Sequence, residues 1–215
     1  MPNPFRRLFM ILLVCVVPLT VSQAADPPAP PVFTEGKDYV VLSNPVTTAT
    51  PGKVEVIEFF SYTCPHCYNL EPSVQAWLKH KPDHVAFVRI AVAFGAGWEP
   101  SARAYYAAED LGVLDQLHPL LFAAVHRNPR MGLDELAAFF AEQGIDQGRF
   151  RNAYQSFHTE TQLRRGTQLA QRYKIEGVPA VIVNGKYEVR SPQMFEAVDF
   201  LIAQEPPTPT NPTAN

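Results

Sequence analysis

Cysteine is scarce: the 215 residues hold only Cys15, Cys64 and Cys67. A small secreted fold stapled by disulfides spreads four or more cysteines along its length, so that architecture is excluded. Positive charge is not in excess either. Eighteen Lys and Arg against 21 Asp and Glu give a net charge of −3, and no basic run appears. That removes the electrostatic argument for nucleic acid as a partner. There is no internal repeat and no long low-complexity block. The longest charge-free apolar stretch, Leu8 to Leu19, is too short to span a bilayer comfortably. Stability must come from a conventional core, for which 47% hydrophobic content is ample.

Both ends are readable. Residues 1–24 have the pattern of a secretory signal, with Arg6 and Arg7 before the apolar stretch and Ser22-Gln23-Ala24 at the expected cleavage position. The Arg6-Arg7 pair has the look of a twin-arginine signal. No Ser or Thr precedes it and no Lys follows, which favours the ordinary secretion route. Cleavage near Ala24 removes Cys15 together with two positive charges, leaving Cys64 and Cys67 as the mature chain's thiols. Two Pro-rich segments, residues 25–31 and 205–215, read as tethers, because Pro supplies no N–H to helix or sheet.

Between them lies Cys64-Pro65-His66-Cys67, placed after an apolar β-type run, Val54–Phe60, and opening a helix-compatible stretch. Two cysteines at this spacing can close a small redox-active disulfide. A helix N-terminus favours the thiolate of the first. Cys64 is therefore the candidate nucleophile, and Cys67, one turn deeper, the resolving thiol. His66 can add a donor or a positive charge beside Cys64. Other β-type runs are Tyr39–Leu42, Val85–Val92 and Ala180–Val183, the last leading through Asn184-Gly185 into Lys186–Val189 as a hairpin. Helices are expected at Glu99–Leu111, ending at Gly112, at Asp115–Val125 with Asp115 as cap, and at Asp134–Gln143. Three more are expected at Asp146–Ser156, Thr159–Tyr173 and Pro192–Gln204, the last opened by Ser191-Pro192.

This order is β, β-α-β, a block of helices, then α-β-β-α. It resembles an α/β thioredoxin fold with an inserted helical domain. The insertion is expected over residues 97–158, which makes the thioredoxin domain discontinuous, 32–96 and 159–204. With Glu58-Phe59-Phe60-Ser61-Tyr62-Thr63 leading into the cysteine motif, and Gly177-Val178-Pro179-Ala180 far downstream, the chain resembles DsbA-type periplasmic thiol–disulfide oxidoreductases. The resemblance covers most of the mature chain. It implies a periplasmic dithiol oxidase of a Gram-negative bacterium that needs no cofactor or metal. Its substrates are reduced exported polypeptides, and a membrane quinone-linked reoxidase of the DsbB type restores its disulfide. A monomer is expected, since nothing resembles a dimerisation element.

The resemblance also implies roles for residues outside the motif. Glu58 is expected to be buried and able to relay a proton to or from Cys67. The competing reading is a structural ion pair with Arg89, a position where related proteins often carry Lys; arginine cannot itself shed a proton. Pro179 is the expected cis-proline facing the active site, with the backbone of Val178 exposed as a docking edge for substrate. Other readings stay open: a disulfide isomerase or reductase on the same fold, a metal carrier using the two thiols with His66, or a peptide-binding chaperone. His80 and His84 do not reinforce the carrier reading, because Pro82 interrupts any shared helical face. His118, His126 and His158 read as surface or partly buried residues. Trp98, Tyr105 and Tyr106 read as core rather than groove.

Overall fold

A computed structural model describes residues 31–205. The expected signal peptide, the Pro-rich residues before Pro31 and the tail after Glu205 lie outside these residues. The elements in chain order are β1 (Tyr39–Val41), β2 (Val54–Phe60), α1 (Pro65–Leu78), β3 (Val85–Ala91), α2 (Glu99–Asp110), α3 (Leu114–Arg127), α4 (Leu133–Glu142), α5 (Gln147–Tyr154), α6 (Phe157–Arg172), β4 (Ala180–Val183), β5 (Tyr187–Val189) and α7 (Met194–Ile202). One five-stranded sheet runs in the order β1-β5-β4-β2-β3. Among these five strands only β2 and β3 pair in parallel, Glu58 opposite Arg89, as a strand–helix–strand crossover requires. The other pairs are antiparallel. This is the expected thioredoxin-type order with a block of helices between β3 and β4.

Central position explains β2. All seven of its residues are buried, as a strand covered on both faces demands. Its alternation sends Val54 and Val56 into a cluster with Val74 and Trp77 of α1 and with Val198 and Leu201 of α7. Ile57 and Phe59 go the other way, to Ala170 of α6 and the adjoining Tyr173. Glu58 shares the face of Val54 and Val56, so it points toward α1. Trp77 ties α1 to α7 by donating from its indole nitrogen to Asp199 at 2.8 Å. The third cluster joins Phe60, Tyr62, Cys64 and Cys67 to Tyr105, Leu121, Phe122, Phe140 and Phe150 of the helical block. The redox pair therefore sits where sheet and helical block meet. Tyr105 and Tyr106 are core residues, as expected, and Tyr106 donates to the Ala91 carbonyl at 2.9 Å.

The starts of α3 and α7 differ from expectation in their capping. Asp115 does not cap α3. The helix begins at Leu114, where Leu117 N–H already bonds the Val113 carbonyl, and Asp115 sits inside the first turn where the helix dipole favours an acid. Likewise α7 starts at Met194 rather than Pro192, because Ser191 Oγ accepts from Gln193 N–H at 3.2 Å and closes a turn there. By contrast, Asp146 caps α5 as expected, accepting from Arg149 N–H at 2.8 Å. Ser156 starts α6 two residues early by accepting from Thr159 N–H at 3.1 Å.

The β4–β5 turn is fixed from two sides. Asn184 and Gly185 both have positive φ, 50° and 67°, the signature of the tight turn expected from Asn-Gly. A Cβ on Gly185 would lie 2.0 Å from the Val46 carbonyl oxygen. Gly185→Ala is therefore expected to cost at least about 2 kcal/mol in urea unfolding. An unchanged midpoint would contradict the close approach.

Glu205 anchors the end of the described chain to the same turn. It accepts from Asn184 Nδ2 at 2.6 Å, Lys186 Nζ at 2.6 Å and Tyr187 Oη at 2.9 Å. Burial pushes its carboxyl up, but these donors outweigh burial and hold it below the ordinary 4.5. A carboxyl depressed by folding stabilises above its unfolded value and loses that contribution as pH falls through the folded one. Glu205→Gln should thus cost about 1–3 kcal/mol at pH 7, and less as pH drops below 4.5. A pH-independent difference would contradict this reading.

Candidate active site

Cys64 is the N-cap of α1, in extended geometry, and Pro65 takes the first helical position. Proline fits there because the first-turn amides have no partner within the helix, and its own is absent. The Cys64 amide donates to the Ser61 carbonyl, and the Tyr68 amide to the Cys64 carbonyl, both at 3.1 Å. No side chain caps the helix. The cysteine side chain thus stands beside the positive end of the helix dipole. Pro65 and His66 are exposed.

The two thiols differ in access: Cys64 is 7% exposed and Cys67 0%. Both are free. The Cys64 thiol donates to the Val178 carbonyl oxygen at 3.3 Å, and the Val178–Pro179 peptide is cis. Burial pushes the Cys67 thiol far up, a backbone hydrogen bond to Ser61 opposes it, and negative charge at Cys64 and Glu58 adds to the rise. Cys67 is therefore held as a neutral thiol, and its sulfur must gain a proton whenever it is released from a disulfide.

Beneath Cys67 runs a buried polar chain. Arg89 Nε donates to Glu58 Oε2 at 2.9 Å, and its terminal nitrogen donates to Glu71 Oε2 at 2.7 Å. Glu58 is 1% exposed. Burial raises its carboxyl, with Arg89 opposing. For Glu71 burial is again the largest influence and raises it, but the His118 imidazole beside it and the Arg89 charge prevail and hold it below the ordinary value. Glu71 also accepts from Gln75 Nε2 at 2.6 Å. His118 Nε2 lies 3.5 Å from Glu71 Oε2, and His118 Nδ1 lies 2.7 Å from Tyr62 Oη.

The structure thus brings Cys64, Pro65, His66, Cys67, Glu58, Val178 and Pro179 to one region, with Arg89 on Glu58. Sequence reasoning missed Glu71, Tyr62 and His118. The expectation that His118 lies at or near the surface is wrong: it is 2% exposed, packed edge-on against Phe60 and Phe122. The signal was present. Leu121 and Phe122 stand three and four residues beyond His118 on its helix, marking an inward face. Glu71 stands four residues after Cys67, on the same face of α1. The remaining histidines gather no metal site: among the described residues no group of three or more His, Cys, Asp or Glu is poised to hold an ion.

Comparison with known proteins gives one answer. The DSBA-like thioredoxin domain family matches residues 55–201. The thiol:disulfide interchange protein DsbA of Burkholderia cepacia is 36% identical over 208 residues, covering 93% of this chain and 97% of that protein. DsbA of Pseudomonas aeruginosa is 37% identical over 210 residues, with the same shares covered. Among solved structures, that of Pseudomonas aeruginosa DsbA superposes with a TM-score of 0.74 at 36% identity, over 80% of this chain and 94% of the other. The oxidoreductase DsbA from Xylella fastidiosa gives 0.74 at 34% identity, over 82% and 98%. A thiol at a helix N-terminus that keeps a small exposed area, backed by a fully buried one, suits thiol exchange. The chain belongs to the DsbA family of thiol:disulfide oxidoreductases.

Proposed function

We propose that the chain is a periplasmic dithiol oxidase that donates the Cys64–Cys67 disulfide to exported polypeptides. The observation that carries this reading is the unequal access of the two sulfurs, 7% exposed against 0%. A substrate thiolate attacks Cys64 Sγ, the Cys64–Cys67 bond breaks, and Cys67 leaves and takes up a proton. A second substrate thiol, deprotonated, then attacks the substrate sulfur of the mixed disulfide and expels Cys64 as thiolate. Two electrons pass to the cysteine pair, and the substrate gains one disulfide. Expulsion leaves Cys64 at the N-terminus of α1, where the positive end of the helix dipole faces the departing sulfur. Glu58 is the proton donor for departing Cys67, supported by its raised carboxyl. Val178 and Pro179 present backbone to an extended substrate strand, and His66 supplies a donor on the exposed side of Cys64.

Secretion follows from the signal pattern, with cleavage near Ala24. A quinone-linked membrane protein of the DsbB type reoxidises the pair, the chain acts as a monomer, and residues 97–158 form a helical domain inserted between the two thioredoxin segments, 32–96 and 159–204. To test the reading, the oxidised mature protein is mixed with a reduced two-cysteine peptide under anaerobic conditions. One peptide disulfide should form per protein disulfide lost. No transfer would contradict the oxidase reading. A slower release of Cys67 in Glu58→Gln, at least about tenfold in the first exchange step, would support the proton role; an unchanged rate would leave Glu58 only as the partner of Arg89.

A further inference from the structure

We propose that His118 is a positioning residue for the redox pair, gripping the cysteine motif from both sides through Tyr62 before it and Glu71 after it. Tyr62 stands two residues ahead of Cys64 in the strand-to-helix turn, and Glu71 four residues beyond Cys67 on α1. A single ring carried by α3, from the helical block, meets both: Nδ1 is 2.7 Å from Tyr62 Oη, and Nε2 is 3.5 Å from Glu71 Oε2. Nε2 makes no hydrogen bond among the described residues, and the Glu71 carboxylate is the acid beside it. Tyr62 and His118 are all but fully buried and Glu71 nearly so, so solvent does not readily replace either contact.

The chemistry of the ring fits this double grip. A neutral imidazole has one donor and one acceptor nitrogen. With the proton on Nε2, it accepts from the Tyr62 hydroxyl and donates toward Glu71. Burial favours this neutral form, lowering the imidazole's affinity for a second proton against the pull of Glu71. Through Glu71 the grip reaches the sulfurs, because Arg89 binds Glu71 Oε2 with one nitrogen and Glu58 with another. Without the imidazole N–H, Glu71 Oε2 keeps only Arg89, Gln75 being bound to the other oxygen, and Glu71 draws more strongly on the cation it shares with Glu58. Negative charge close to the cysteines is then less compensated, which disfavours the thiolate of the reduced pair and makes the protein a weaker oxidant.

This inference rests on the redox reading of Cys64 and Cys67. The test is the glutathione equilibrium constant of the full mature chain, compared with His118→Phe, His118→Gln and Tyr62→Phe. His118→Phe keeps a ring in the aromatic cluster but loses both polar contacts. It should move the equilibrium toward the disulfide by roughly threefold or more, about 14 mV for a two-electron couple. His118→Gln, with a donor and an acceptor, should recover at least half of that shift on a logarithmic scale. Tyr62→Phe, which breaks one arm, should shift the same way by less. A folded His118→Phe with the wild-type constant would overturn the proposal, as would a Gln variant as shifted as the Phe variant. Should His118→Phe fail to fold, Tyr62→Phe decides: no shift there overturns the double grip. Absence of any reversible transition in the wild-type chain would sink the redox reading instead, whatever the variants do.

Discussion

Cys64→Ser is expected to abolish disulfide exchange, to below about one-thousandth of the wild-type rate, whereas Cys67→Ser should capture substrates and hold them. The asymmetry follows from access. Cys64 is the thiol that a substrate can meet, at the N-cap of α1 and 3.3 Å from the Val178 carbonyl. Serine oxygen cannot form the mixed disulfide, so nothing downstream proceeds. Cys67 is fully buried, behind Cys64, and acts only by closing on it. With serine at 67, an attached substrate lacks its intramolecular exit. Incubation with an oxidised peptide bearing one activated disulfide should give a covalent adduct through Cys64, persistent on a non-reducing gel and released by dithiothreitol. An adduct through residue 67 in Cys64→Ser, or exchange surviving that change, would contradict the assignment.

Arg89→Met should destabilise the fold by about 3–5 kcal/mol near neutral pH, because it strands charge in the interior. Arg89 is the cation shared by Glu58 and Glu71, at 2.9 Å and 2.7 Å. The sign of the pH dependence distinguishes this from a simple packing loss. Burial already raises the Glu58 carboxyl against the pull of Arg89. A carboxyl raised by folding contributes stability below its unfolded value and loses it as pH rises through the folded one. Removing Arg89 strengthens that trend at Glu58 and takes away much of what holds Glu71 down. The deficit of Arg89→Met should therefore shrink as pH falls from 7.5 toward 5, read from urea midpoints. Glu58→Gln added to Arg89→Met should recover part of it. A deficit that is constant with pH would mean that lost packing against Phe87, not charge, dominates.

How legible all this was differs from element to element. The fully buried β2 reads directly from Val54–Phe60, since a central strand needs an unbroken apolar run and its two acids are the exceptions that ask for partners. Asn184-Gly185 reads as a turn because so few residues accept positive φ. The motif at 64–67 reads as thiol chemistry from its spacing together with the strand before it, the helix after it and the distant Val178-Pro179. What stayed hidden depends on contacts between distant segments. Tyr62 and His118 are 56 residues apart, and nothing local in either stretch announces a shared hydrogen bond. Glu71 looks like an ordinary helix acid until Arg89, 18 residues on, comes across from the next strand. The starts of α3 and α7 were misplaced for a smaller reason: an acid in the first turn and a cap read alike in sequence, and the Ser191 hydroxyl closes a turn instead of capping a helix.

The most direct test is the reduction potential of the Cys64–Cys67 pair in the mature protein, equilibrated against glutathione buffers and read by thiol trapping. A dithiol oxidase should show a single reversible two-electron transition clearly more oxidising than the glutathione couple. A potential as low as that of thioredoxin, about −270 mV, would make the protein a reductase and contradict the oxidase assignment.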